Sequence, residues 1–286
     1  MDLKQILVLV LQISILCTVI ATGLRSSTND LLYLVRRPGL FARSLLSVFV
    51  IMPIVAFVLV RLFEFRTTVE IVLAALSISP VPPLLPKQGS KAGGDAAYGI
   101  ALMAWLGLLS IAAIPVSLLL LELLSGRRLV LAQGAVLSAV VKTVLAPLLA
   151  GMAVRALLPA VANRIEKPLT FVGNVLLPLA VLVLLAGAAS AMWALVGNGT
   201  LAAMLAFVIA GLAIGHLLGG PHPQHSGVLG LATASRHPAI AFAIAARNFP
   251  QEQFGATILL YLMVNAVVGI PYFMWQGRLV GKMRDA

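Results

Sequence analysis

The chain reads as an all-α polytopic membrane protein, on three observations. It is 61% hydrophobic and only 10% charged, with a mean hydropathy of +1.06, whereas soluble domains carry roughly 25% charged residues. Its long segments are apolar on every side and lack the polar stripe of a surface helix. Most run for about the 20 residues that a bilayer core demands, and short turn-prone connections separate them.

Nine spans follow in order. The first, at about 5–24, begins after Lys4 and closes on Arg25. Its length, and the lack of a small-x-small cleavage site, argue against a removed leader. Arg36-Arg37-Pro38-Gly39 turns the chain into the second span, 42–62. The third, 69–92, is interrupted by Pro80-Val81-Pro82-Pro83-Leu84-Leu85-Pro86. Gly93-Gly94-Asp95 opens the fourth, 96–123, where a carboxylate suits the helix N-terminal dipole. Ser125-Gly126-Arg127-Arg128 leads into the fifth, 130–158, which carries Lys142 at mid-span. The sixth, 168–193, ends at Gly197-Asn198-Gly199, and the seventh, 199–218, ends at Gly219-Gly220-Pro221. The eighth, 226–249, is broken at Arg236-His237-Pro238, and the ninth, 255–276, closes the chain. No connection is long enough to fold as a soluble domain.

The two interruptions point to function. Proline removes an N–H and clashes with the preceding turn, and in hydrocarbon every freed carbonyl must find another partner. Breaks at corresponding places in two halves of a hydrophobic chain are the pattern of a transporter's binding site. Pro80, Pro82, Pro83, Pro86 and Pro238 therefore mark a crossover, and the two breaks are expected to meet in space within one core. The charge around them is basic, with Lys87, Lys91, Arg236 and His237, and no acidic residue lies within six positions of Arg236. Arg236 lies about ten residues into its span, too deep to snorkel, and such an arginine faces a cavity or a partner. Two roles stay open for it: its planar fork holds an anion, or it caps unwound carbonyls. His237 either carries a proton or sits neutral in the crossover. Lys87 either faces the cavity or, as expected for Lys91, snorkels to the surface. Lys142 is expected to pair with carbonyls or a polar neighbour.

The remaining inventory excludes other classes. The net charge of +11 comes from basic residues in connections and at span ends, where they set topology rather than bind nucleic acid. An outside N-terminus places twelve Lys and Arg inside and six outside, so the chain is expected to run N-out, C-in across the plasma (cytoplasmic) membrane. Cys17 is alone, which excludes a disulfide framework. His222-x-x-His225 is flanked by Pro221 and Pro223 with no carboxylate or thiol nearby, so neither a metal nor a cofactor is expected. There is no HExxH, Gly93-Gly94-Asp95 is not Gly-x-Gly-Asp, and serine–histidine pairs lack an acidic orienting group, so no enzyme is expected.

The stretch from the first span through Arg36-Arg37-Pro38 to Ile51-Met52-Pro53 carries a resemblance. So do Glu70-Ile71 with the break at Pro80 and Gly94-Asp95, Val141-Lys142 with Pro147, and the run 227–249 ending Ala-Ala-Arg-Asn-Phe. On these the chain resembles the bile acid:sodium symporter family over nearly its whole length, in a nine-span form lacking one first helix. The resemblance implies an inverted-repeat transporter fold with two crossed broken helices. It implies a panel domain from 1–41 and 124–198, about three spans, and a core domain from 42–123 and 199–286, about six, with the crossover at 80–86 and 236–238. Two half-helix N-termini, Arg236 and Lys87 would make the midplane site electropositive, so a small organic anion is the expected substrate, with the lipid bilayer as surroundings; no protein partner is evident.

The departures concern sodium. The family's first crossover reads Pro-Gly-Gly-x-x-Ser-Asn, and its Ser and Asn positions are Leu85 and Pro86 here. The second reads Glu-x-Gly-x-Gln-Asn, and its Glu, Gln and Asn positions are Ala232, Arg236 and His237. The ligands on the following helix fall near Gly99 and Met103. Hard cations need several oxygen ligands, so the usual sodium coupling is not expected. The expected activity is a sodium-independent secondary transporter or facilitator of a small organic anion, working by alternating access, with Arg236, His237 and Lys87 at the substrate. Two alternatives remain: a sodium symporter with relocated ligands, and a non-transporting receptor on the transporter fold.

Overall fold

A computed structural model describes the backbone of residues 3–125, 133–197 and 199–285, and the side chains within 5–123, 134, 136–197 and 199–283. The expectations that rest on Lys4, Ser125, Gly126, Arg127, Arg128, Asn198 and Arg284 lie wholly or partly outside them. All described elements are helical. The first span is α1 (Leu3–Arg25), followed by the short α2 (Thr28–Leu31) in the connection. The second is continuous but changes winding: α3 (Pro38–Leu45), a π-helical stretch (Leu46–Ile51) and α4 (Met52–Leu62). The third is split into α5 (Thr67–Ile78) and α6 (Leu85–Lys91), and the fourth is α7 (Ala96–Ser125).

The fifth span repeats the device of the second, with α8 (Gln133–Val140), a π-helical stretch (Val141–Leu145) and α9 (Ala146–Leu157). The sixth is α10 (Pro159–Trp193), which starts nine residues before the expected 168 and continues through Pro168 and Pro178. Prolines are tolerated inside membrane helices because neighbours re-satisfy the freed groups. The seventh is α11 (Thr200–Gly219), the eighth is α12 (Pro223–Ala234) and α13 (Pro238–Asn248), and the ninth is α14 (Gly255–Asp285). Eight of these spans are long and apolar enough to cross a bilayer; the third reaches that length only through its two halves together.

Small residues set the closest packing, as expected where lipid gives no hydrophobic drive for helix association. α1 lies against α9 and α10. A Cβ added at Gly23 would stand 2.3 Å from the Leu148 carbonyl oxygen, and one at Gly151 would stand 2.4 Å from that of Ile20. α11 lies along α12 through Gly211, Gly215 and Gly219, one residue in four. There a Cβ at Gly215 would meet the Leu229 carbonyl oxygen at 2.3 Å.

The two broken spans pair half with half: α5 packs against α13, and α6 against α12. They meet at their breaks, where the His237 N–H donates to the Pro80 carbonyl at 2.8 Å. Pro80, Pro82 and Pro83 fall within the first break, 79–84, as expected. Pro86 lies instead in the first turn of α6, and Pro238 is the first residue of α13. At those positions the missing N–H has no intrahelical partner to lose.

Candidate functional site

The crossover is held by Arg236, which is 1% exposed and the largest fully buried side chain of the described residues. Its Nη1 donates to the Ser79 carbonyl at 3.1 Å, and its Nη2 donates to the Val48 carbonyl at 3.0 Å. Its backbone N–H donates to the Tyr261 hydroxyl at 2.8 Å, which in turn donates to the Ala234 carbonyl at 2.8 Å. Ser79 and Ala234 stand at the C-terminal ends of α5 and α12, where helix dipoles and unpaired carbonyls favour a cation. An arginine at mid-bilayer costs roughly 2.5–3.5 kcal/mol on insertion scales. Hydrogen bonds made by a charged group contribute about 1.5–3 kcal/mol each, so two of them offset that cost.

The Val48 carbonyl is free for a reason written in the chain. In the π-helical stretch the Met52 N–H reaches back five residues to the Ser47 carbonyl. The next amide in that register belongs to Pro53, which has no hydrogen to give to Val48. Arg236 supplies the missing donor, and the Ser47 and Thr233 hydroxyls, 2.6 Å apart, fasten the same stretch to α12. Three spans therefore converge on one guanidinium.

His237 is 3% exposed, and neither ring nitrogen has a hydrogen-bond partner among the described residues; the same is true of Arg236 Nε. Lys87 is not part of this cluster. It lines a cavity of about 390 Å³ between α6 and α7 on one side and α1 and α10 on the other. Arg25, Lys91 and Asp30 share the lining, with Thr18, Thr22, Ser90, Thr170 and Asn174 adding polar groups. Arg25 is itself paired, with Nη2 2.6 Å from Glu166 Oε1. Lys87 and Lys91 make no ion pair with any described residue, so the cavity is left electropositive. Lys142, by contrast, is exposed and bonds to no described side chain or carbonyl.

Residues 12–195 match the model of the sodium bile acid symporter family, well over half the chain. The chain belongs to that family. Members are membrane transporters of the bile acid and organic anion type, and this chain is therefore an integral membrane transporter. No curated protein matches it. Every residue lining the basic cavity, from Thr18 to Asn174, lies inside the matched stretch, whereas Arg236 and His237 lie beyond it. Within this family member, the positions aligned above with sodium ligands carry no side-chain oxygen. Leu85, Pro86, Gly99, Met103 and Ala232 are all buried.

A second cluster ties the start of α7 to the connection after α2 and to α12. Asp95 Oδ1 accepts from the Tyr98 N–H at 3.1 Å, which caps α7 as expected. Asp95 Oδ2 also accepts from the Tyr33 hydroxyl at 2.5 Å, and Tyr33 lies 2.7 Å from His225 Nε2. Burial, reinforced by the Asp95 carboxylate, pushes the Tyr33 phenol above its usual range, so it stays a neutral bridge. Tyr33, Tyr261, Val48 and the cavity-facing Thr18 and Thr22 escape sequence reasoning. Only Pro53, placed to orphan a carbonyl, carries a readable signal.

Proposed function

We propose that this protein moves a small organic anion across the cytoplasmic membrane by alternating access, without coupling to sodium. The observation that carries the reading is the basic cavity beside α6, where Lys87 and Lys91 pair with no described residue. A carboxylate or similar anion would take its charge partner there and its hydrogen bonds from the hydroxyls and amide around it.

Arg236 takes the part that sodium plays elsewhere in the family. Sodium in broken-helix transporters is held by unwound carbonyls and half-helix C-terminal ends. Arg236 bonds to the half-helix end at Ser79 and to the Val48 carbonyl left unpaired in the π-helical stretch of the second span. Its charge is covalently attached, so the crossover stays assembled with no ion present, and the anion needs no cation to bind first. α1, α9 and α10, within 1–41 and 124–198, form the panel; the remaining spans form the core that carries the crossover. The core moves against the panel, and the cavity between them opens alternately to each side, with the N-terminus outside.

The test is uptake into proteoliposomes of a panel of labelled carboxylates and sulfonates, with sodium or choline as the cation. Accumulation or exchange of one of them, equal in both media, supports the reading. Binding without uptake favours the receptor alternative, and uptake that needs sodium favours relocated ion ligands.

A further inference from the structure

A second cavity, of about 380 Å³, lies at the other end of the broken third span and carries the opposite charge. It is walled by α4, α5, α7 and α13 and runs from Glu70 to Ile78, next to the break. Its lining is apolar apart from Glu70, Ser77 and Asn248. The Ser77 hydroxyl is already spent on the Ala74 carbonyl at 2.7 Å, and Asn248 Nδ2 donates to the Ile244 carbonyl at 2.9 Å. Glu70 is half-buried, and its carboxylate makes no ion pair or hydrogen bond with any described residue. Arg66, one turn earlier, is exposed and makes no ion pair with it.

Glu70 stands in the first turn of α5, where the helix dipole favours a carboxylate, and a charge facing an apolar cavity suits a cationic partner. Here no described residue supplies that partner. The volume falls in the range of small-molecule sites, which combine an apolar body with a few polar anchors. From this we infer that the cavity is a binding site for an organic monocation, an amine with an apolar body whose ammonium pairs with Glu70. The anion of the proposed transport cycle is excluded from it by the same charge. The cavity is bounded by α5 and α13, the two half-helices that pack together beside the crossover. The site is independent of the transport reading and can be tested without it.

The experiment uses three ligands with one skeleton: 4-phenylbutylamine, 4-phenylbutanol and 4-phenylbutyrate, titrated calorimetrically into the purified full-length protein. The amine is expected to bind at least tenfold more tightly than the alcohol, a difference of about 1.4 kcal/mol, and the carboxylate more weakly than either. Glu70→Gln should erase the amine's advantage while leaving the alcohol unchanged, and Glu70→Asp should keep most of it. Ala74→Phe, which fills the cavity, should abolish binding of all three. Equal binding of amine and alcohol to the native protein, the behaviour of a cavity made for a lipid chain, overturns the inference and needs no variant to fold. So does an amine advantage that survives Glu70→Gln, or binding that survives Ala74→Phe in a variant eluting as the native protein does.

Discussion

At the residue scale, Arg236 and Lys87 do different work, and substitution separates them. Arg236 donates to carbonyls of two different spans and is sealed from solvent, whereas Lys87 lines an open cavity. Arg236→Gln retains a single amide donor and no charge, so it should reduce transport more than about tenfold, a loss of 1.4 kcal/mol or more, while the protein still inserts. Arg236→Lys keeps the charge but not the planar fork that reaches both carbonyls, and should lose less. Lys87→Ala should raise the apparent KM about five-fold and leave the maximal rate near normal, since it removes a charge partner of the substrate and no scaffold bond. Initial rates of uptake across a range of substrate concentrations check all three. Normal transport by Arg236→Gln alongside misfolding of Arg236→Ala would reduce the arginine to a structural cap.

Elements decide whether that arginine has anything to hold. Pro53 leaves the Val48 carbonyl unpaired in the π-helical stretch, and Pro53→Ala would restore an N–H that competes with Arg236 Nη2. Pro53→Ala should therefore slow transport, and combining it with Arg236→Lys should cost less than the two effects added, because both act on one hydrogen bond. A double-mutant cycle on uptake rates measures the shortfall; simple additivity would dissociate the π-helical stretch from the crossover. Close packing of α11 on α12 yields a plainer expectation. Gly215→Leu must displace the backbone of Leu229, whereas at Gly187 on α10 the Cβ of a leucine meets nothing within 4 Å. The first should abolish monodisperse elution in detergent and the second should leave it unchanged.

For the whole molecule, the prediction concerns ions. With Leu85, Pro86, Gly99, Met103 and Ala232 unable to offer side-chain oxygens, replacing sodium by choline at constant ionic strength should change substrate affinity by much less than tenfold. An affinity gain of tenfold or more in sodium would place ion ligands elsewhere in the fold. Across the molecule the two cavities also differ in sign, basic beside α6 and acidic beside α5, at opposite ends of one broken span. Anion transport and amine binding are therefore expected to be separable by substitution at Lys87 and Glu70.

Much of this was legible in the chain, because the bilayer makes local composition decisive. A run of about 20 apolar residues has few fates other than a membrane helix, so the spans and their two interruptions follow from residue order alone. Three prolines within four residues at 80–83 remove more donors than one turn can spare, and the helix breaks there, whereas the isolated Pro115, Pro168, Pro178 and Pro271 stay inside continuous helices. Partners are another matter, since they depend on which turns face each other across the packed helices. Nothing local to Arg236 announces that its guanidinium reaches Val48, 188 positions away, or Ser79, 157 away. The same holds for the separation of Lys87 from Arg236, the union of Tyr33, Asp95 and His225, and the charge of each cavity. Each arises where distant segments converge, and only the tertiary structure decided them.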